Sequence, residues 1–512
     1  MKKLTALLAA LVLALSLVPE AALADDGAAV FIDGKQFLTD GVSFYVCESG
    51  EIVSELPSGC GSFAAYENSS GILILNNYTG GGIMAYGVEL KISVNGSNTI
   101  GTPNAPVTTG IMTDGEDVIL VGSGSLTVYF SENGIVTSED PGSDILGDAQ
   151  IGCAQLFLTY DNDDAEGSET AHYIWANDLA VTGGKITANG GLNMDSIAGI
   201  YLEGSYSQNK GSEVTVHMPC EKGSSDTAME VGGSFTMWGG KLTVSSPEHG
   251  LAVFDGVKIY DGEITILADK ICFGAAGRSF DMEGGTLSLG KYENDQSGSS
   301  GLLLSTDLTV SGGTLEITGK SYGINLAVGS SATISGGEVG INVTAEAVRA
   351  YYTSDSDFRV TGGEVTLEGG EFAVDMQNGK AVFSGGTTRM ISTEGPAIVT
   401  WKGIILEDSV KFKNTDHRVI GVIGPTASII DTGAEGMWSV YDHDLAPDIE
   451  PDTAAAAAAK DVTILEAEKP QPDPETKPVN PATGIFENWV VRAIALIMMA
   501  VVYASARRNR HA

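Results

Sequence analysis

The sequence predicts an all-β solenoid: a parallel β-helix of short stacked coils with an N-terminal cap, followed by an extended linker and a C-terminal hydrophobic helix. Three observations lead there. A glycine corner recurs through most of the chain, short alternating apolar runs flank each copy of it, and nothing between the copies carries the period of a helix.

The corner is plainest in "DLTVSGGTLEIT", residues 307–318, where Leu308 and Val310 alternate with polar neighbours before Gly312-Gly313 and Leu315 and Ile317 do so after it. Matching stretches are "FTMWGGKLTV", "VKIYDGEITI", "FDMEGGTLSL", "ATISGGEVGI", "FRVTGGEVTL" and "AVFSGGTTRM". Their second glycines, with that of the first example, are Gly240, Gly262, Gly285, Gly313, Gly337, Gly363 and Gly386, in steps of 22, 23, 28, 24, 26 and 23 residues. Looser copies lie around Gly184 and Gly124. A further apolar run follows many corners, as in "SGLLLST", "YGINLAV" and "HGLAVFD". Each repeat therefore holds three short strands and three bends, which is one coil. Glycine belongs at such a bend because the backbone there needs either φ > 0 or close approach to a neighbouring coil.

Stacking the copies gives two apolar columns. Val181, Met237, Ile259, Met282, Val310, Ile334, Val360 and Phe383 share the position before the corner. Ile186, Leu242, Ile264, Leu287, Leu315, Val339 and Val365 share the one after it. These should point inward and form the core, each side chain about 4.8 Å from its equivalent in the next coil. Burying one such side chain is worth roughly 1.5–3 kcal/mol, so no single coil should be stable alone. Thr187, Thr243, Thr265, Ser288 and Thr366 share an outward position, where β-propensity on a solvated strand accounts for them.

Composition sets limits on partners. The chain has 512 residues, 66 of them glycine, and 43% hydrophobic content, enough for a core. Its 66 acidic and 28 basic residues leave a formal charge of −38. Such a surface repels phosphate backbones and anionic lipid, which argues against nucleic acid as a partner.

Both ends address the chain outward. Met1-Lys2-Lys3, the apolar run from Leu4 to Val18, and Ala22-Leu23-Ala24 have the three parts of a cleaved signal peptide, so residues 1–24 are expected to be removed. At the other end, Asn480-Pro481-Ala482-Thr483-Gly484 precedes an apolar segment from about Trp489 to Ala506 and a tail with Arg507, Arg508 and Arg510. This order resembles the cell-wall sorting signal of Gram-positive surface proteins, with Asn480 where leucine is commonest. The resemblance implies that a sortase cleaves after Thr483 and joins it to a peptidoglycan precursor. A plain C-terminal membrane anchor is the alternative, and either way the membrane is met only through this segment. Seven of the 16 prolines lie between Pro447 and Pro481, so residues 431–479 read as a spacer, with the alanine run Ala454–Ala459 a short helical turn within it. The resulting division is signal peptide 1–24, cap 25–65, solenoid 66–430, spacer 431–479 and sorting signal 480–512.

The stretch "GILILNNYTGGGIMAYGVELKISVNGSNTIGT", followed by coils of the "LTVSGGTLEIT" kind, resembles secreted bacterial carbohydrate-binding β-helix domains related in fold to pectate lyases. The resemblance implies a right-handed parallel β-helix that binds plant-type or acidic polysaccharide, sometimes through calcium, with a host or neighbour surface glycan as partner. Catalysis is not expected. The arginines Arg278, Arg349, Arg359 and Arg389 are scattered, and Asp416 in "NTDH" lacks the companion motifs of pectin hydrolases. A protein-binding adhesin and a polysaccharide lyase or hydrolase remain as rival readings.

Candidate site residues are few. Trp238 and Tyr260 occupy the same corner position in consecutive coils and could offer sugar rings a flat aromatic platform. Asp161, Asp163, Asp164 and Glu166 in "DNDDAEGSE" supply hard oxygen ligands for calcium without EF-hand spacing, and a solvated acidic loop is the simpler reading. Of the five cysteines, Cys47 and Cys60 flank a short loop in the cap and could form a disulfide.

Overall fold

A computed structural model describes residues 28–431 and 460–466, apart from 39–40, 139–145, 161–170, 191–197, 221–225, 294–297, 328, 351–355, 377–378, 401–402, 408–409, 415–420 and 424–429. The described residues are all-β, without a helix, and form a β-solenoid of about 11 turns.

One coil shows how the sequence builds the rest. Ser300–Ser305 lies in a first sheet, Leu308–Val310 in a second and Thr314–Thr318 in a third, and the chain then returns to the first at Tyr322–Leu326. Each strand pairs in parallel with its equivalent one coil on: Leu302 with Ile324, Leu308 with Ala332, Leu315 with Val339. The repeat length thus equals the register shift, and the apolar alternation falls inside on all three sheets.

Both expected columns are continuous ladders. The first runs Val181, Gln208, Met237, Ile259, Met282, Val310, Ile334, Val360, Phe383, every member at most 1% exposed. The second runs from Ile186 through Val214 and Leu242 to Val365 and closes on Thr388. Gln208 and Val214 belong to a coil with no glycine pair, which bends instead at Asn209-Lys210-Gly211. Gln208 is a polar residue in an apolar column, and its amide is satisfied there. Tyr206 Oη donates to its Oε1 at 2.7 Å, while its Nε2 donates to the Lys241 carbonyl at 2.9 Å.

The two glycines of a corner do different work. A Cβ on Gly312 would collide with the Glu283 carbonyl of the preceding coil. Gly313 combines such a collision, against the Gly285 carbonyl, with φ of 78°. The second position therefore excludes other residues on two counts.

Pairing becomes antiparallel at both ends. Val42–Val46 pairs antiparallel with Glu51–Val53 and Phe63–Glu67, which pairs antiparallel with Ile72–Asn76. From Ile72–Asn76 onward the ladder is parallel, and Ala29–Ile32 adds an antiparallel pairing onto Ile83–Tyr86. At the far end Asp461–Glu466 pairs antiparallel with Lys380–Ser392 and with Val410–Asn414, burying Val462 and Ile464. The expectation of a spacer throughout 431–479 is corrected here. An open solenoid edge presents unpaired N–H and C=O groups, and the alternating "DVTILE" supplies the strand that covers them. The alanine run lies outside the described residues.

Gly313→Ala should lower the thermal unfolding midpoint, at a cost of roughly 1–3 kcal/mol from the strained φ alone. Gly340→Ala, where an added Cβ meets nothing within 4 Å, should change it by less than about 1 kcal/mol. Parallel melts followed by circular dichroism check the pair, and equal effects would contradict the corner argument.

Candidate functional site

The outer face of the second sheet carries a groove of about 360 Å³. Its floor is the outward column Ile119, Gln150, Ala180, Ser207, Thr236, in register over five coils. Ala180, Ser207 and Thr236 are small, which leaves the concavity. At the next coil the same column carries Lys258, whose longer side chain rises there.

One rim is a column of bend residues, Asp117, Asp148, Asp178, Ser205 and Ser234. The first four side chains each cap the backbone of the coil that follows, while the Ser234 hydroxyl turns back to Ser205 Oγ. The Asp148 N–H donates to Asp117 Oδ1 at 2.8 Å, the Ser205 N–H to Asp178 Oδ1 at 2.6 Å and the Ser234 N–H to Ser205 Oγ at 3.1 Å. Asp148 Oδ1 takes both the Asp178 N–H and Asn177 Nδ2. The same device recurs beyond the groove, where Asp307 accepts from the Ser331 N–H and Asp357 from the Lys380 N–H. One oxygen of each groove aspartate is thus committed to holding the bend. The other makes no hydrogen bond among the described residues.

Trp238 closes the groove, with 47% of its surface exposed. Tyr260 stacks on it, ring centroids 4.3 Å apart and planes 5° from parallel. The flat two-ring platform is therefore corrected. A coil spacing of about 4.8 Å is close to the separation of stacked rings, so the two aromatics lie on each other along the coil axis instead of side by side. Tyr260 covers one face of Trp238, and the other side of the indole is left to the groove. Beyond them, Lys258 Nζ lies 5.4 Å from the Tyr260 ring centre and 3.8 Å from Glu283 Oε1. Lys210 bridges the corner to Asp261 at 2.8 Å.

The other sequence candidates fare differently. All five cysteines are free thiols, so the Cys47–Cys60 disulfide is corrected. The pairing of Val46 with Phe63 sets Cys47 opposite Ser62, with Cys60 two residues further on. Diagonal neighbours in an antiparallel pair stand ~7–8 Å apart, outside the ~4.4–6.8 Å that a disulfide spans between Cα atoms. Both cysteines instead engage the Ser62 carbonyl, Cys47 through its N–H at 3.3 Å and Cys60 through its thiol at 3.4 Å. Burial pushes the Cys153 thiol up to about 11. Asp161, Asp163, Asp164 and Glu166 lie outside the described residues, as do Asp416 and the sorting signal Asn480–Gly484. Among the described residues no group of three or more His, Cys, Asp or Glu side chains is placed to hold a metal.

Two clusters on the outer face of the first sheet had no sequence signal. His172, Trp175 and Tyr201 pack together, with His172 Nδ1 at 2.6 Å from the Ala198 carbonyl. Further along, Glu346 is 8% exposed, and burial raises its carboxyl to about 7; Glu371 and Asp375 add to the rise and Arg349 opposes it.

A family described as "Carbohydrate-binding domain-containing protein" matches residues 221–393. That segment contains Trp238, Tyr260 and the regular glycine corners, while the three groove aspartates precede it. No curated protein and no solved structure matches the chain.

The Glu346 carboxyl binds its proton more tightly in the folded chain than in the unfolded one. Its contribution is therefore greatest below about pH 4.5 and is lost as pH rises to about 7, by at most about 3 kcal/mol. Glu346→Gln should flatten the fall of the melting midpoint between pH 5 and pH 8 and raise the midpoint at pH 8. An unchanged profile would show that another group carries the dependence.

Proposed function

We propose that this protein is a non-catalytic carbohydrate-binding β-solenoid displayed outside the cell, holding a polysaccharide in the groove on its second sheet. The observation that carries the reading is the placement of Trp238. An exposed indole, braced from behind by Tyr260, ends a groove floored with small and hydroxyl-bearing side chains, within the segment that resembles a carbohydrate-binding domain. Sugar rings have apolar C–H faces and polar edges, so such a wall and floor suit both.

A binding role is also supported by the groove carboxylates. Glycoside hydrolysis needs one carboxyl as acid and another as base or nucleophile flanking the scissile bond. The groove aspartates lie along one rim, and each is engaged as an acceptor in the same way as Asp307 and Asp357, which stand in coils away from the groove. Anchoring to a Gram-positive wall by a sortase rests on Asn480–Gly484 and the apolar and basic stretches after it.

Affinity electrophoresis against a panel of soluble polysaccharides should show retardation by at least one of them, with and without EDTA. Trp238→Ala should weaken that binding about tenfold and Tyr260→Ala less, since stacking contributes roughly 0.5–1.5 kcal/mol beyond area. Retardation by none overturns the reading, and new reducing ends or unsaturated products overturn its non-catalytic part. For anchoring, Thr483→Ala should move the protein from the wall fraction to membrane or medium; an unchanged distribution would refute sortase attachment.

A further inference from the structure

Resting on that reading, we infer that the groove selects glycans without anionic groups, taking a neutral, hydroxyl-rich polysaccharide and turning away uronates. The lining contains three carboxylates, Asp117, Asp148 and Asp178, and no lysine, arginine or histidine. They stand on consecutive coils, so a line of negative charge repeats about every 4.8 Å along one rim. A polyuronate laid in the groove would bring its own carboxylates beside this line.

Among the described residues, the lysines that border the groove are each held in an ion pair. At the Ile119 end, Lys91 stands in the floor column one coil earlier and is paired with Glu89 at 3.2 Å. At the Trp238 end Lys210 is paired with Asp261 and Lys258 with Glu283; on the adjoining third sheet Lys185 is paired with Glu213 and Lys241 with Glu263. The whole chain carries −38, which adds a long-range field of the same sign.

The same groups favour a neutral sugar. An ionised carboxylate only accepts hydrogen bonds, and each groove aspartate keeps one oxygen outside the bend network. It needs an O–H donor, which a sugar hydroxyl supplies and a uronate carboxylate does not. Gln150, Ser205, Ser207, Ser234 and Thr236 then complete a set that can both donate to and accept from hydroxyls. An anionic glycan could enter only with a divalent cation between the two rows of carboxylates.

The test uses the intact exported chain, a set of neutral glucans, mannans and galactans, polygalacturonate, and the cationic polymer chitosan, each with EDTA and with calcium. Neutral glycans should bind at least tenfold more tightly than polygalacturonate in both conditions. The triple variant D117N/D148N/D178N keeps an acceptor oxygen at each bend. It should fold, as checked by circular dichroism, and should cut the preference for neutral glycan over polygalacturonate at least tenfold at low salt; an unchanged ratio in the folded variant would overturn this inference. Preference for polygalacturonate, with or without calcium, would overturn this inference and leave carbohydrate binding standing; preference for chitosan over every neutral glycan would do the same. Binding of no glycan would overturn both.

Discussion

The in-register hydrogen bonding of each coil to the one before it is the constraint from which the other features follow. Once strands pair in parallel without slip, every residue is held about 4.8 Å from its equivalents in the adjacent coils, and a position becomes a column. Inside, a column must be apolar or internally satisfied, as Gln208 is by Tyr206 and Lys241. At a bend, columns bring backbone onto backbone, which is why Gly312 and Gly313 face the carbonyls of Glu283 and Gly285. Outside, columns of like residues meet one another, and this is where the groove originates.

The constraint tolerates local departures when polar groups can be satisfied across more than one coil. Between Thr286–Gly290 and Ser300–Ser305 the chain makes a longer excursion than in neighbouring coils. Asp269 Oδ1 receives the N–H groups of Tyr292 and Glu293 at its start. Lys320, wholly buried, reaches back two coils to donate to the carbonyls of Ala268 and Asp269 at 2.6 and 3.0 Å. Charge is buried here where a backbone insertion would otherwise leave carbonyls without donors.

Much of the fold was legible because repetition makes columns visible in one dimension. The alternation of Leu308, Val310, Leu315 and Ile317 fixed strand, face and corner together, and stacking the copies fixed the register. The coil at Tyr206–His217 is hidden in the sequence because its bend uses Asn209-Lys210-Gly211 and its core position holds glutamine. The closing strand Asp461–Glu466 was concealed by the proline-rich composition around it. The candidate site was legible only in part. Trp238 and Tyr260 stood out as exceptions within a column, yet their geometry did not, since sequence gives the spacing of two rings and not their tilt. Asp117, Asp148 and Asp178 lie about 30 residues apart, outside the stretch of regular corners, and each alone reads as an ordinary turn residue.

The Trp238–Tyr260 stack shows how the lattice of coils shapes recognition as well as stability. Two aromatics placed one coil apart have a choice between lying flat against the sheet and lying on each other. Flat, each would leave a large apolar face in water; stacked, the facing surfaces are buried at 4.3 Å and one indole face remains beside the groove. The tyrosine therefore acts through the tryptophan, restricting the indole before any ligand arrives, so that less side-chain freedom is lost on binding. Column geometry that makes the core regular thus also gives one exposed aromatic a fixed orientation at the end of a polar trough, whose rim side chains at the same time hold the bends of successive coils.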